Sequence, residues 1–412
     1  MAYIRQKDLP NLKKYRYSGV DHSLTSYYIL KPFYNKFVIR CFPMGMAPNL
    51  ITLSGFGFII INVMTLFWYT PTLDQDCPSW VYASWAVGLF LYQTFDAVDG
   101  AQARRTQQSG PLGELFDHGV DAVNTSLGVL IFAASMKLGM GWLTVTSLFG
   151  SLSTFYVQTW DEYHTKTLTL GLINGPVEGV LLLIAVYIIT AIKGGASLWQ
   201  QSMLRTIGIQ EYAFIPSFIY ELAFNEINIL QGSLVLFINI FQSSRNVIKA
   251  RRLRGENARG ALLGLLPLIV TWMLITAYLR LNPEILYNQL VPFIIFVGLM
   301  NAYSVGQIIT AHLAQMPFPY FNILILPLAF GVYDSLGPIL LNKFGIGWPS
   351  ILGTTSYQIS YCFCMVGFAL GIYGSFVVDV IVTICDYLDI WCLTIKYPRE
   401  MEPPSIESKK NT

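Results

Sequence analysis

The sequence predicts an all-α, polytopic membrane protein, because the chain is too apolar and too weakly charged for a soluble domain. Of its 412 residues, 54% are hydrophobic and 12% are charged, whereas soluble domains carry about 25% charged residues. About ten stretches approach the 20 apolar residues that an α-helix needs to cross a bilayer. The formal net charge of +2 provides no broad basic surface, so nucleic acid is not an expected partner.

Most of the predicted membrane spans are joined by short connections, apart from a long loop between the fifth and the sixth. In order, they cover residues 50–68, 80–95, 116–136, 142–160, 177–192, 227–247, 261–279, 290–311, 323–341 and 357–384. If the N-terminus lies in the cytosol, most of the 26 lysines and arginines fall on the cytosolic side. This positive-inside asymmetry predicts that both termini are cytosolic.

The segment 12–42 mixes basic and aromatic residues but contains no spanning run. Such a composition predicts an amphipathic helix lying in the cytosolic interface of the membrane. The alternative is an ordered cytosolic arm that does not touch lipid.

Four aspartates fall within or directly after predicted spans, where ionisable residues are costly and usually functional. Asp96 and Asp99 are three residues apart, and Asp117 and Asp121 are four apart, so each pair occupies one helix face. Residues 109–111 (Ser-Gly-Pro) indicate a turn between the pairs. An antiparallel hairpin about that turn would bring Asp96 level with Asp121 and Asp99 level with Asp117. We therefore expect four carboxylates at one depth, close to the cytosolic surface.

Four ionised carboxylates in a low-dielectric site require cations. Hard oxygen ligands suit Mg²⁺ or Mn²⁺, and the amount of negative charge predicts two ions, which can clamp the oxygens of a phosphoryl displacement. Gly100 and Gly113 leave room for a ligand, and the guanidinium fork of Arg104 suits phosphate. A purely structural alternative pairs the acids with Arg104 and Arg105. Two arginines cannot neutralise four aspartates and Glu114.

This segment resembles the CDP-alcohol phosphotransferase family. The family signature D-x2-D-G-x2-A-R-x8-G-x3-D-x3-D is met without departure. Its fixed positions are Asp96, Asp99, Gly100, Ala103, Arg104, Gly113, Asp117 and Asp121. Flanking stretches, including MAPNLITLSGF, WDEYHT and GPVEG, are similar to eukaryotic, fungal-type choline/ethanolamine phosphotransferases. The likeness is clear through about residue 190 and mostly topological afterwards.

The resemblance implies a metal-dependent transfer of phosphocholine or phosphoethanolamine from CDP-choline or CDP-ethanolamine to diacylglycerol, with release of CMP. It implies a homodimer in the endoplasmic reticulum or Golgi membrane, with the active site facing the cytosol. The implied metal ligands are Asp96, Asp99, Asp117 and Asp121. The residues implied to line the nucleotide site are Asn49, Gly100, Ala103, Arg104 and Gly113. Asn49, in a Pro-Asn-x-x-Thr motif, either binds the diphosphate or caps its own helix.

Three residues are candidates for the group that takes the proton from the acceptor hydroxyl. A carboxylate bound to two cations is a weak base, which counts against Asp121. His118 lies between the two metal-facing aspartates, and an unperturbed histidine titrates near neutrality. The alternative is a packing residue that faces a neighbouring helix. Glu178 could orient His118, act as the base itself, or merely occupy a favourable helix N-terminus.

The predicted organisation has five parts. They are a cytosolic arm with an interfacial helix (1–47), catalytic helices (48–193), a lumenal loop (194–226), C-terminal helices for lipid binding or dimerisation (227–395), and a disordered cytosolic tail (396–412). Two other functions stay open. One is a phospholipid synthase of the same family that uses CDP-diacylglycerol, and the other is a cation transporter. The choice between choline and ethanolamine is open because the chain has too many aromatic candidates for a cation cage.

Overall fold

A computed structural model of the chain describes residues 3–171, 175–209 and 216–398. Within these residues, seven helical segments are long and apolar enough to cross a membrane. Three further long helices, Ser79–Thr106, Pro111–Ser135 and Trp142–Thr165, carry most of the acidic residues discussed above. The polytopic helical architecture is therefore confirmed, whereas the count of ten spans stays a prediction.

The long helices are numbered here in chain order. They are α1 (Pro48–Tyr69), α2 (Ser79–Thr106), α3 (Pro111–Ser135), α4 (Trp142–Thr165), α5 (Gly175–Lys193), α6 (Phe224–Leu253), α7 (Ala258–Leu281), α8 (Leu290–Leu313), α9 (Ile325–Phe344) and α10 (Thr355–Leu388). Each coincides with one predicted span. The largest difference is at the end of α2, which continues to Thr106 and so contains the first half of the aspartate motif.

Short elements connect these helices. The N-terminal arm contains Leu9–Lys14, Gly19–Asp21, Ser26–Leu30, Lys31–Lys36 and Val38–Cys41; the α5–α6 connection contains Ala196–Gln200, Met203–Thr206 and Ser217–Glu221; and Pro283–Asn288 precedes α8. Gly19–Asp21 is a strand that pairs in parallel with Leu168–Leu170. The all-α prediction missed this ladder because three residues are too few to show the alternation typical of a strand.

The centre of the molecule is α8, which is buried on almost every side. Its sequence is apolar all round, as expected of a helix enclosed by other helices. Gly298 permits this packing, because a Cβ there would lie 2.3 Å from Ser126 Oγ of α3. The close approach of α8 to α3 fixes the rear of the aspartate-bearing helix.

The connection between α2 and α3 is held from outside by the N-terminal arm. Arg105 donates hydrogen bonds to the carbonyl oxygens of Ile39 and Phe42 at 3.0 and 2.6 Å. Gln102, which is fully buried, donates to the carbonyl oxygens of Pro43 and Met46 at 2.9 and 2.8 Å. The end of α2 is thereby tied to the segment that leads into α1.

Candidate active site

Three of the four aspartates come together. Oxygen atoms of Asp96, Asp99 and Asp117 all lie within 4.8 Å of one another. One carboxylate oxygen of Asp96 and one of Asp117 are buried and have no hydrogen-bond partner within the described part of the chain. Buried oxygens without partners are unfavourable, and a divalent cation bound by oxygen ligands would satisfy them. These residues therefore fit a metal ion.

Asp99 is held by a residue of α1. Thr52 Oγ1 donates a hydrogen bond to Asp99 Oδ2, and both side chains are buried. Hydrogen bonds of this kind orient a metal-ligating carboxylate. Sequence reasoning gave a role only to Asn49 of the Pro-Asn-x-x-Thr motif, although the threonine of the same motif was the available signal.

Asp121 has a different partner. Tyr92 Oη donates a hydrogen bond to Asp121 Oδ1, and Asp121 is not a member of the three-acid group within the described residues. The expected convergence is thus seen for three acids. Asp99 lies near Asp117, as predicted, and Asp96 belongs to the same group. Tyr92 lies one helical turn before Asp96, and this spacing could have indicated it. The assignment of Asp121 as a ligand stays a prediction.

The two other candidates for proton transfer face different neighbours. His118 Nδ1 lies 4.0 Å from Glu162 Oε2 of α4, so the imidazole points toward a neighbouring helix. Glu178 Oε1 accepts a hydrogen bond from Ser23 Oγ of the N-terminal arm at 2.5 Å. Sequence reasoning missed Glu162 as the neighbour of His118, because nothing in the WDEYHT stretch shows which helix it meets.

Asn49 is not a helix N-cap, so that alternative is wrong. The N-cap of α1 is Ala47, and Asn49 lies inside the first turn, where its Nδ2 donates to the carbonyl oxygen of Cys392 at 3.0 Å. A Cβ on Gly113 would lie 4.0 Å from Asn49 Oδ1, so the free side of the amide faces the start of α3. Its role in nucleotide binding stays a prediction.

The remaining nucleotide candidates lie on the last turns of α2. A Cβ on Gly100 would lie 3.5 Å from Arg104 Nη1, and Arg104 is exposed while Ala103 is partly buried. Both terminal nitrogens of Arg105 donate hydrogen bonds to backbone carbonyl oxygens. No ion pair in the described residues joins an arginine to the four aspartates, so the purely structural alternative is wrong.

A cavity of about 880 Å³ lies beside the aspartates. Asp96, Asp121 and Glu178 line its polar part. Apolar side chains from six helices line much of the rest; they include Ile59, Leu89, Phe132, Phe155, Val186 and Ile238. A cavity with acids in one part and hydrocarbon in another suits an amphiphilic molecule.

Comparison with known proteins agrees with this geometry. Residues 45–210 match the model of a family described as CDP-alcohol phosphatidyltransferase. A CDP-alcohol phosphatidyltransferase class-I family protein of Schizosaccharomyces pombe is 41% identical, over 99% of this chain and 100% of its own length. Two Saccharomyces cerevisiae proteins are 38% and 37% identical, over 96% and 97% of this chain and 98% and 99% of their own lengths. They are named choline/ethanolaminephosphotransferase 1 and cholinephosphotransferase 1.

Proposed function

This chain belongs to the CDP-alcohol phosphatidyltransferase family, and we propose that it transfers phosphoethanolamine, phosphocholine or both to diacylglycerol. The donors are CDP-ethanolamine and CDP-choline, and CMP is the second product. The chain is a membrane transferase of phospholipid synthesis. The observation that carries the proposal is the convergence of Asp96, Asp99 and Asp117 beside an amphiphilic cavity.

The aspartates are the proposed metal ligands. Asp96, Asp99 and Asp117 offer the buried oxygen atoms that Mg²⁺ or Mn²⁺ prefers, with Asp121 as a fourth ligand and two ions as the expected number. Bound ions of this kind offset the negative charge of a diphosphate and of a phosphoryl group in transfer. Thr52 contributes by holding the orientation of Asp99.

The proposed reaction is an in-line displacement at the phosphorus that bears the alcohol. The hydroxyl oxygen of diacylglycerol forms a bond to this phosphorus, and the bond to the bridging oxygen of CMP breaks. The hydroxyl proton must pass to a base, for which His118, Glu178 and Asp121 are the candidates. His118 is favoured because Asp121 is hydrogen-bonded by Tyr92. Glu178 lines the same cavity and is the second choice.

The nucleotide is proposed to bind at the ends of α2 and α3. Gly100 and Gly113 present no side chain there, and Arg104 is exposed on the last turns of α2. A guanidinium group at such a position can make two parallel hydrogen bonds to phosphate. Ala103 contributes a small side chain, and Asn49 Oδ1 faces Gly113. These assignments follow the family signature and are supported by the grouping of the residues.

The apolar part of the cavity is proposed to hold the acyl chains of diacylglycerol. Side chains from α1, α2, α3, α4, α5 and α6 line it, and Asp121 and Glu178 lie where the glycerol hydroxyl would be presented. A soluble acceptor alcohol would gain nothing from so much apolar lining. The acyl chains of CDP-diacylglycerol would also fit this lining, so the preference for diacylglycerol as acceptor rests on the similarity to proteins named choline/ethanolaminephosphotransferase and cholinephosphotransferase.

The location of the protein is proposed from composition and from family membership. We propose that all ten long helices span the endoplasmic reticulum or Golgi membrane, with both termini and the aspartates on the cytosolic side. Exposed aromatic residues on the N-terminal arm, including Tyr27, Tyr28 and Phe37, support an interfacial location for this segment. A homodimer is the proposed assembly.

A cation transporter is the competing function from a different class. Transport needs polar ligands along a path through the bilayer, whereas Asp96, Asp99 and Asp117 lie at one end of α2 and α3. The experiment that separates the functions uses purified protein in detergent with Mg²⁺ or Mn²⁺. CDP-choline or CDP-ethanolamine is supplied with diacylglycerol, and CDP-diacylglycerol with inositol or serine serves as the comparison. Release of CMP that requires diacylglycerol supports the proposal. Release only from CDP-diacylglycerol, or no release with any donor, contradicts it.

A further inference from the structure

A second group of metal-binding side chains lies outside the aspartate site. Glu114 of α3, Glu162 of α4 and His312 of α8 each place a possible ligand atom within 4.8 Å of the others. We call these residues the glutamate–histidine cluster. Glu114 lies one helical turn before Asp117, so α3 contributes to both groups. The other residues come from α2 in the aspartate site and from α4 and α8 in the glutamate–histidine cluster.

Glu114 is buried without a partner. Its side chain is only 8% exposed, and neither carboxylate oxygen has a hydrogen-bond partner within the described part of the chain. His312 Nδ1 is also buried and unpartnered there, and Glu162 is only 6% exposed. Buried polar groups are normally hydrogen-bonded, so the unmatched carboxylate of Glu114 and the unmatched imidazole nitrogen of His312, both facing Glu162, indicate a missing positive ligand.

Nearby cations do not supply that positive charge. In the described ranges, no lysine or arginine nitrogen lies within 4.0 Å of the carboxylate of Glu114 or Glu162. Lys166, which follows α4, has its ammonium group over the ring of Tyr163, 4.7 Å from the ring centre. Two carboxylates close together in a buried site are strongly unfavourable without a counter-charge.

We propose that the glutamate–histidine cluster binds a transition-metal ion such as Zn²⁺, separate from the ions at the aspartates. Two carboxylates and one imidazole form a mixed oxygen and nitrogen donor set, which suits such an ion better than Mg²⁺. Water would complete a four-coordinate geometry, which leaves His118, 4.0 Å from Glu162, free for proton transfer. The three aspartates offer oxygen atoms alone, so the two sites select different metals.

The proposed ion would join three helices that are distant in sequence. Glu114 and His312 are on α3 and α8, which pack closely at Gly298, and Glu162 is near the end of α4. An ion shared by these helices would fix the start of α3 relative to its neighbours, and Asp117 is on the next turn. The inference concerns metal binding alone and stands whether or not the proposed reaction is correct.

The test measures Co²⁺, which has visible absorption bands that report its coordination. The full chain carrying both Asp99→Asn and Asp117→Asn is purified in detergent and stripped of metal, so that the aspartate site no longer competes. We expect one Co²⁺ per chain with the intense bands of four-coordinate geometry. Zn²⁺ should displace it, and a hundredfold excess of Mg²⁺ should not. Absence of a bound, Zn²⁺-displaceable Co²⁺ would overturn the proposal.

Further variants locate the ion. Glu114→Gln, added to the same background, should weaken Co²⁺ binding by about 10- to 100-fold, as loss of a ligand or its support does. Glu284→Gln, a glutamate outside the cluster, should leave binding unchanged. His312→Gln repeats the test if the Glu114 variant does not elute as a single species. Unchanged Co²⁺ binding in either folded cluster variant contradicts the assignment.

Discussion

The aspartate site and the glutamate–histidine cluster use the same helix but differ in their chemistry. Asp117 and Glu114 lie one turn apart on α3. The first meets Asp96 and Asp99 of α2, whereas the second meets Glu162 and His312 of α4 and α8. One group has oxygen ligands only, and the other includes an imidazole. Each group places one residue on the wall of the cavity, Asp96 from the first and Glu162 from the second. A difference of one turn on one helix therefore separates a site suited to Mg²⁺ and phosphate from one suited to a transition metal.

The largest effect is expected from removing an aspartate ligand. Asp99→Ala or Asp117→Ala should abolish measurable CMP release, because loss of a bound cation removes several kcal/mol of charge stabilisation, each 1.36 kcal/mol being tenfold in rate. Co²⁺ binding at the glutamate–histidine cluster should persist. The matched control is Asp386→Ala, an exposed aspartate near the end of α10. Full activity of either folded aspartate variant would end the metal-site interpretation.

His118 is the next test, because it lies between the two groups. His118→Ala should lower kcat for CMP release by about 10²-fold or more, the range expected for loss of a general base, while KM for the CDP-alcohol changes little. Co²⁺ binding at the glutamate–histidine cluster should persist, because His118 is not one of its three residues.

Glu178→Gln and Asp121→Asn, measured in parallel, assign the proton acceptor. If His118→Ala turns over normally while one of these variants loses kcat, the base role passes to that residue. Glu284→Gln again provides the comparison for a neutral change of a glutamate elsewhere.

Replacing Thr52 tests whether its hydrogen bond to Asp99 supports the aspartate site, without changing the glutamate–histidine cluster. Thr52→Val keeps the shape of the side chain but removes the hydroxyl that donates to Asp99. We expect a loss of about 10- to 100-fold in activity or in Mn²⁺ affinity, as for other hydrogen bonds to metal ligands. Thr52→Ser retains the donor and should retain most of the activity. Equal activity of the valine and serine variants would show that this hydrogen bond does not orient Asp99.

Tyr92→Phe should have the smallest effect of the series. It removes the hydrogen bond to Asp121, which lies outside the three-acid group, so we expect at most about a tenfold loss in activity. Co²⁺ binding should be unaffected because Tyr92 does not contact the glutamate–histidine cluster. A loss as large as that of Asp99→Ala would instead make Asp121 a principal ligand.

Much of the aspartate site could be predicted from local spacing. The interval between Asp96 and Asp99 places both on one helix face, and the turn signal before Pro111 predicts that α3 returns beside α2. Neither observation indicates Thr52, which approaches Asp99 from α1, nor the contact of Asn49 with Cys392. The latter pair is separated by 343 positions, and no local pattern reports a contact across that distance.

The hydropathy pattern also failed to predict where α2 ends. The predicted span ended at Phe95 because the polar residues that follow interrupt the apolar run, yet the helix continues to Thr106. Gln102 and Arg105 satisfy their polar groups on the backbone of the N-terminal arm, which allows polar residues to remain helical at this position. A hydropathy scale measures how strongly a side chain prefers lipid to water, so it cannot detect a hydrogen-bond partner in another segment of the chain.

By itself, the sequence determined that the chain is helical, that it lies in a membrane, and that its aspartates are grouped together. These properties depend on composition and on the 1.5 Å rise per residue of a helix, both of which act locally. Only the tertiary structure decided that His118 faces Glu162 and that Glu114 meets His312. Those contacts depend on how helices far apart in sequence pack together, which is set by the shapes of many side chains acting at once.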